Sequence, residues 1–271
     1  MEYLSLQAVQ EAEFHILCKL DDICEEQGFT YYLAAGTLIG AIRHRDFIPW
    51  DDDIDIWMPR ESYEKFIRYC NAHEKELGHY RVLNRTADKS IEYSISRFCD
   101  MNYKLEFTNG ETHDSGLFVD IYPLDYAGDT VAEAHRLMRR AKIQKRLGDH
   151  ARLRHWPAAA SAKMRLVNVL AYPYARLRGA AHFDRTLQKI ATSVQGETKY
   201  MTCLLDYTYK FKALFPAACF EARTQVPFHG RQFWAPAGWH EVLTQLYGDY
   251  MQPPPVEKRR TDRHMFQAYV R

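Results

Sequence analysis

Four aspartates and a run of bulky apolar residues stand together at positions 51–58, and no other feature of the chain constrains its fold as strongly. The run reads Asp51-Asp52-Asp53-Ile54-Asp55-Ile56-Trp57-Met58. Apolar and acidic residues alternate over 53–56, which is typical of a half-buried strand. Because residues two apart in a strand point to the same side, Asp53 and Asp55 are predicted to face one spot, joined by Asp51. Ile54 and Ile56 are predicted to face a core.

Carboxylates held this close need a compensating charge. At about 4 Å and an effective dielectric near 20, two of them repel by roughly 4 kcal/mol. A divalent cation with oxygen ligands, Mg²⁺ or Mn²⁺, supplies that charge. A solvated acidic turn is the alternative, and the interleaved large apolar residues argue against it. An EF-hand calcium loop is excluded, because Ile56 stands where that loop requires glycine.

A further carboxylate, Asp120, lies within the apolar run 117–122. Burying it without a partner would be costly. One interpretation makes it the third acid of the metal site or the acceptor of a proton from an attacking hydroxyl. The other makes it a structural salt-bridge partner of Arg97.

Gly36 and Thr37 come 17 and 16 residues before Asp53, between a predicted strand at 30–35 and a predicted short helix at 38–42. A glycine at the mouth of a helix lets backbone N–H groups approach an anion, and the helix dipole favours negative charge there. Thr37 can cap the helix or bind a phosphate oxygen. Together with the acids, this pair suggests a cradle for a metal-bound pyrophosphate.

The remaining periodicities predict a mixed α/β (α+β) fold, a mixed sheet flanked by helices. Residues 5–27 are predicted to form a helix, and Pro59 to be the first residue of the next one. Further strands are expected at 80–84, 92–99, 103–107 and 117–122, helices at 130–147 and 161–195, and a strand pair and an amphipathic segment after residue 226. We expect a single domain over 1–271 with a mostly helical basic insertion at about 130–200.

The net charge of +1 hides a strong asymmetry along the chain. Residues 1–60 carry twelve acids and four Lys/Arg, whereas residues 136–180 carry twelve Lys/Arg and one acid, Asp149. The basic segment could lie on an anionic membrane, or form a surface helical hairpin that offsets the acidic part; Pro157 and Pro173 are expected to break any long helix. We predict a cytoplasmic protein, because the six cysteines include no C-x-x-C and the sequence shows no long apolar run and no leader pattern. If the basic segment lies on a membrane, the protein is predicted to be peripheral at the inner membrane face.

Three blocks of the chain together resemble one family. The segment from Ala35 to Ile56, AGTLIGAIRHRDFIPWDDDIDI, closely resembles the signature of the LicD family, which includes the fukutin-related proteins. The segments HDSGLFVDIYPLD, from His113, and YGDYMQPPPVEKR, from Tyr247, are similar to its second and C-terminal motifs. Tyr103 and the third proline of 253–255 depart from the family pattern, and residues 136–180 match nothing in it.

The resemblance implies a nucleotidyltransferase-like fold and a metal-dependent phosphotransferase. Such an enzyme moves phosphocholine, or a related phospho-alditol or phospho-sugar group, from a CDP-linked donor such as CDP-choline to a glycan hydroxyl. The acceptor would be a cell-surface or lipid-linked glycan of lipopolysaccharide, teichoic acid or capsule. The alternative is a nucleotidyltransferase acting on a small molecule or an RNA end. A non-enzymatic metal-dependent or nucleic-acid-binding module leaves the acids unexplained, so no nucleic-acid partner is expected.

Carried onto this chain, the family pattern makes Asp53, Asp55 and Asp120 the catalytic acids and the ligands of Mg²⁺ or Mn²⁺. Guanidinium groups suit phosphate because their donors form a flat fork, and aromatic faces suit a quaternary ammonium group. The predicted donor-binding residues are Gly36, Thr37, Arg43, Trp50, Asp51, Arg97, Lys258 and Arg259.

Overall fold

A computed structural model describes residues 2–85, 91, 93–107, 114–153, 155–156, 161–206, 208, 210–259 and 266–271, without the side chains of Lys163, Lys210 and Lys258. The contacts of the chain divide it into two compact units, Met1–Leu124 with Pro216–Arg271, and Asp125–Phe215. A single domain over 1–271 with an insertion near 130–200 stays a prediction.

The first unit is built on a mixed sheet of five strands. Its helices are α1 (Leu6–Gln27), α2 (Ala35–Ile39, continued by a π-helical turn Gly40–His44), α3 (Arg60–Ala72) and α7 (Trp239–Tyr247). The sheet strands are β1 (Tyr32–Leu33), β2 (Ile54–Pro59), β3 (Tyr80–Leu83), β4 (Ser96–Asp100) and β6 (Leu117–Gly128), in the order β1-β2-β6-β4-β3. β2 and β6 are parallel and the other neighbours antiparallel, which confirms the predicted mixed sheet.

Two antiparallel pairs complete this unit: β5 (Tyr103–Phe107) with β11 (Phe266–Val270), and β9 (Arg223–Phe228) with β10 (Arg231–Pro236). Short 3₁₀ turns lie at Ala217–Phe220 and Val256–Lys258. The core sits where α1 covers the sheet: Ile16, Leu20, Ile54 and Ile56 are fully buried. The predicted inward direction of Ile54 and Ile56 is therefore confirmed.

The turn between β9 and β10 is tied to the segment that leads into the acidic stretch. Nδ1 of His229 lies 2.7 Å from Oδ1 of Asp46, and Nε2 lies 3.1 Å from Oε2 of Glu11. Partial burial lowers the pKa of His229, but the hydrogen bonds and charges of Asp46 and Glu11 outweigh it, so the pKa is raised. Because the pKa of His229 is raised in the folded state, its contacts with Asp46 and Glu11 stabilise the fold fully below about pH 6.5. This stabilisation is lost as the pH rises through the folded-state pKa of His229.

We therefore expect His229→Gln to melt below the wild type at pH 6 and to approach it at pH 9. The loss at pH 6 should be about 1 kcal/mol, or about 2–4 °C, since the side chain is partly exposed. Thermal melts followed by circular dichroism at both pH values measure this. The partly exposed His182, which carries no carboxylate contact among the described residues, gives the control His182→Gln. A difference that grows with pH would contradict the assignment.

The second unit holds the helices α4 (Val131–Arg152), α5 (Ala162–Arg178) and α6 (Ala180–Ala191), with β7 (Tyr200–Thr202), a 3₁₀ turn (Lys210–Ala213) and the start of β8 (Phe215–Pro216). A capping box of Thr130 and Glu133 begins α4. Ala151, Ala175 and Phe183 form a buried cluster that joins the three helices. Arg152 pairs with Asp184.

Several predicted boundaries need correction. The predicted helix 161–195 is two helices, because Gly179 (φ 74°) ends α5. Pro173 does not break α5, which continues through it. Pro59 is the cap of α3 and not its first residue. The strand predicted at 92–99 begins only at Ser96, and residue 92 lies outside the described residues, as do Pro157 and His113.

The six cysteines are all free of disulfides. None of the helices in the described part of the chain combines the length and the apolar composition of a membrane-spanning segment.

Candidate active site

Three charged side chains stand in a row across three strands of the sheet. Asp55 on β2 and Asp120 on β6 are register partners, and Asp120 is also the register partner of Arg97 on β4. Neighbouring strands lie about 4.8 Å apart and paired residues share a face. Both aspartates are buried. Asp120 therefore has a carboxylate on one side and a guanidinium on the other.

Arg97 binds Asp120 directly. Its Nε donates to Oδ1 of Asp120 at 2.7 Å, and its guanidinium carbon lies 3.9 Å from the ring centre of Tyr93 and 3.7 Å from that of Phe118. Burial lowers the pKa of Arg97, but the charge of Asp120 outweighs it and raises the pKa. The salt bridge expected as the alternative role of Asp120 is thus present. It fixes one carboxylate oxygen, and the metal-binding role of Asp120 stays a prediction.

Thr37 holds the strand that carries Asp55. Its hydroxyl oxygen accepts a hydrogen bond from the backbone N–H of Asp55 at 2.8 Å, and the side chain is buried. Gly36 and Thr37 lie in the first turn of α2, not before the helix as predicted. Ala35, directly before them, has a φ of 44°, which L-residues other than glycine rarely adopt. Neither pattern nor propensity signals this strained residue.

Replacing Thr37 by valine should disturb both stability and activity. Valine keeps the volume but leaves the N–H of Asp55 without its acceptor inside the protein. We expect a loss of about 1–3 kcal/mol in the free energy of unfolding and a lower turnover. Thr37→Ser keeps the hydroxyl and should remain close to wild type in both. Urea unfolding and turnover of the same preparations test this, and equal behaviour of the two variants would contradict the role of the hydroxyl.

The acids before β2 form a compact loop cluster. Asp51, Asp52 and Asp53 can each offer a carboxylate oxygen within 4.8 Å of the others. Because β2 begins at Ile54, Asp53 precedes the strand and only Asp55 lies on it. That Asp53 and Asp55 face one spot stays a prediction. This three-residue cluster includes neither Asp55 nor Asp120. Gln10 of α1, whose role sequence reasoning missed, donates to the carbonyl of Asp51 at 2.7 Å.

Two arginines stand near this loop. Nη1 of Arg43 donates to the carbonyl of Tyr250 at 2.6 Å, and the guanidinium carbon of Arg259 lies 4.9 Å from the ring centre of Trp50. Partial burial and the charge of Arg259 lower the pKa of Arg43, and Asp51 partly offsets them. The predicted donor-binding residues Arg43, Trp50, Asp51 and Arg259 are thus brought together. The side chain of Lys258 lies outside the described residues.

Comparison with known proteins decides the family. The domain described as LicD/FKTN/FKRP, nucleotidyltransferase domain, matches residues 28–147. The lipopolysaccharide cholinephosphotransferase LicD of Haemophilus influenzae is 30% identical over 279 residues, which cover 100% of both chains. The chain belongs to the LicD family. Within it, ribitol 5-phosphate transferase FKRP of human and of mouse is 39% identical over 51 residues, 19% of this chain and 10% of FKRP.

The residues of this LicD-family chain fit a divalent cation of the Mg²⁺ type. The donor set consists of carboxylate oxygens, which such cations prefer. A Cβ at Gly36 would lie 2.7 Å from Oδ2 of Asp51, so the Asp51 carboxylate lies close against the backbone of α2. Asp55 and Asp120, outside the cluster of Asp51, Asp52 and Asp53, are a second pair of carboxylates, buried and in register on adjacent strands.

Proposed function

We propose that the chain is a metal-dependent phosphotransferase that moves phosphocholine, or a related phospho-alditol or phospho-sugar group, from a CDP-linked donor to a glycan hydroxyl. The observation that carries the proposal is the register pairing of two buried carboxylates, Asp55 and Asp120, on adjacent parallel strands. The full-length similarity to a lipopolysaccharide cholinephosphotransferase supports a phosphotransferase acting on glycans. Similarity to a ribitol 5-phosphate transferase keeps the transferred group open.

The proposed ligands of Mg²⁺ or Mn²⁺ are Asp53, Asp55 and Asp120. Such an ion, when bound, neutralises charge on the phosphoryl oxygens and on the leaving nucleotide. Two further side chains hold these carboxylates in position. Thr37 fixes the backbone of Asp55, and Arg97 fixes the orientation of Asp120.

The arginines complete the proposed donor site. Arg43 and Arg259 lie close enough for one charge to affect the other, and two cations held near each other attract an anion such as a donor pyrophosphate. The ring of Trp50, which faces the guanidinium of Arg259, can accept a cation on its face, as a quaternary ammonium group requires. The acceptor hydroxyl attacks the distal phosphorus, the bond from that phosphorus to the oxygen of CMP breaks, and the hydroxyl proton passes to a base.

Product analysis tests the proposal. The purified chain is incubated with CDP-choline or CDP-ribitol, Mg²⁺ or Mn²⁺, and a lipopolysaccharide glycan, and the products are measured by mass spectrometry. We expect free CMP and a glycan heavier by the phospho-group. CMP attached to an acceptor, with phosphocholine or ribitol 5-phosphate released, would instead show a nucleotidyltransferase. Absence of metal-dependent CMP release from every CDP-linked donor would contradict the proposal.

A further inference from the structure

The helix α5 carries an exposed apolar ridge, which we define as Leu166, Leu170, Pro173 and Leu177. The three leucines are 71%, 76% and 86% exposed, and Pro173 is exposed as well. The spacing of three to four residues places all four on one side of the helix. Isolated exposed apolar residues are common, but a continuous row of this kind marks an interaction surface.

The opposite side of α5 is firmly seated. Asn168 and Ala175 are buried, and Ala175 belongs to the cluster with Ala151 and Phe183. Nη1 of Arg176 also donates to the carbonyl of Ala151 at 3.1 Å. The ridge is therefore the outer face of a packed helix, and its exposure does not result from a helix that lacks a position in the fold.

The surroundings of the ridge are aromatic and cationic. Arg165 and Arg176 flank it on one side and Arg178 on the other, as a turn of 3.6 residues requires, and all three are exposed. Tyr174 is exposed next to the ridge, and Trp156 packs edge-on against Tyr172 with ring centres 5.1 Å apart. Apolar residues flanked by arginines and amphipathic aromatics match the layers of a bilayer surface: acyl chains, interface and headgroups.

Two occupants would cover such a ridge, a second copy of this chain or a lipid surface, and the charge around the ridge distinguishes between them. In a second copy of this chain, the segment 136–180, with twelve Lys/Arg and one acid, would face the same excess of positive charge. An anionic lipid surface instead attracts the exposed arginines that flank the ridge, Arg165, Arg176 and Arg178. We propose that α5 lies flat in the surface of an anionic bilayer, with the apolar ridge among the acyl chains and the arginines at the headgroup phosphates. This inference concerns only the second unit and stands apart from the transfer reaction proposed above.

The full chain can be tested by co-sedimentation with vesicles at low salt. We expect binding to vesicles that contain phosphatidylglycerol and little binding to vesicles of phosphatidylcholine alone. The double variant Leu170→Ser/Leu177→Ser should bind at least about tenfold more weakly, because two leucines no longer enter the apolar layer. These side chains are exposed, so thermal melts should show an unchanged fold. The matched control Val131→Ser removes an exposed apolar residue at the start of α4 and should bind like the wild type.

Three results would overturn the proposal. The first is a wild-type chain that does not bind phosphatidylglycerol vesicles at low salt. The second is equal binding of the double variant, since attraction by charge alone leaves the ridge without a role. The third is a wild-type chain that is a dimer in analytical ultracentrifugation and does not bind vesicles, together with a double variant that is a monomer. The ridge would then join two copies of the chain.

Discussion

Asp55→Asn should leave the chain folded and reduce turnover of a CDP-linked donor by about 10³-fold. The amide keeps the size of the side chain and removes its charge. The hydroxyl of Thr37 still accepts the hydrogen bond from the backbone N–H of residue 55, so the strand keeps its position. A loss of this size corresponds to about 4 kcal/mol of transition-state stabilisation, which is typical when one preorganised charged group is removed. The measurement is the rate of CMP release at saturating Mg²⁺.

The control for this prediction is Glu64→Gln on the surface of α3, where the carboxylate is exposed and only loosely paired with Arg68. Its turnover should equal that of the wild type. Circular dichroism melts of both variants verify that they are folded. Turnover of Asp55→Asn within a few-fold of wild type would remove Asp55 from the proposed machinery.

Arg97→Met should cost about 3–5 kcal/mol in the free energy of unfolding. The guanidinium is buried between Tyr93 and Phe118 and is bonded to Asp120, whose side chain is only 9% exposed. Removing one partner of a buried ion pair leaves the other charge in a low-dielectric place without its counter-charge. Urea unfolding, followed by circular dichroism and fluorescence, measures the loss.

A second variant separates the ion pair from the packing of Arg97. Arg97→Met/Asp120→Leu removes both charges and should recover most of the stability, because apolar replacements of a buried pair are often neutral. It should remain inactive, because Asp120 is lost. A loss below about 1 kcal/mol for Arg97→Met, or no recovery in the double variant, would contradict the structural role of the pair.

The local pattern predicted the central strand well and its start poorly. The alternation of isoleucine and aspartate correctly placed Ile54 and Ile56 in the core, because a period of two residues is set by the strand itself. It could not place Asp53, since the pattern does not reveal where the ladder with β6 begins, which is at Ile54. Periodicity likewise did not predict the break at Gly179, where a left-handed φ ends α5.

Contacts between segments that lie far apart in the sequence were harder to predict than local structure. The alternative interpretation of Asp120 paired it with Arg97, because a carboxylate in an apolar strand needs a cation, and the register of β4 with β6 shows this pair. The proximity of Arg43 to Tyr250 and Arg259 joins residues more than 200 positions apart, and no spacing rule reaches that far. Only the family motifs at both ends of the chain pointed to one shared site.

The central claim is that Asp55 and Asp120 together hold a divalent cation. Electron paramagnetic resonance of Mn²⁺ added to the intact chain tests it directly, because bound and free ions give different signals. We predict one saturable class of bound Mn²⁺ in the wild type and in Glu64→Gln, and binding weakened at least about tenfold in folded Asp55→Asn and Asp120→Asn. Equal Mn²⁺ affinity in all four proteins, or no binding in the wild type, would contradict it.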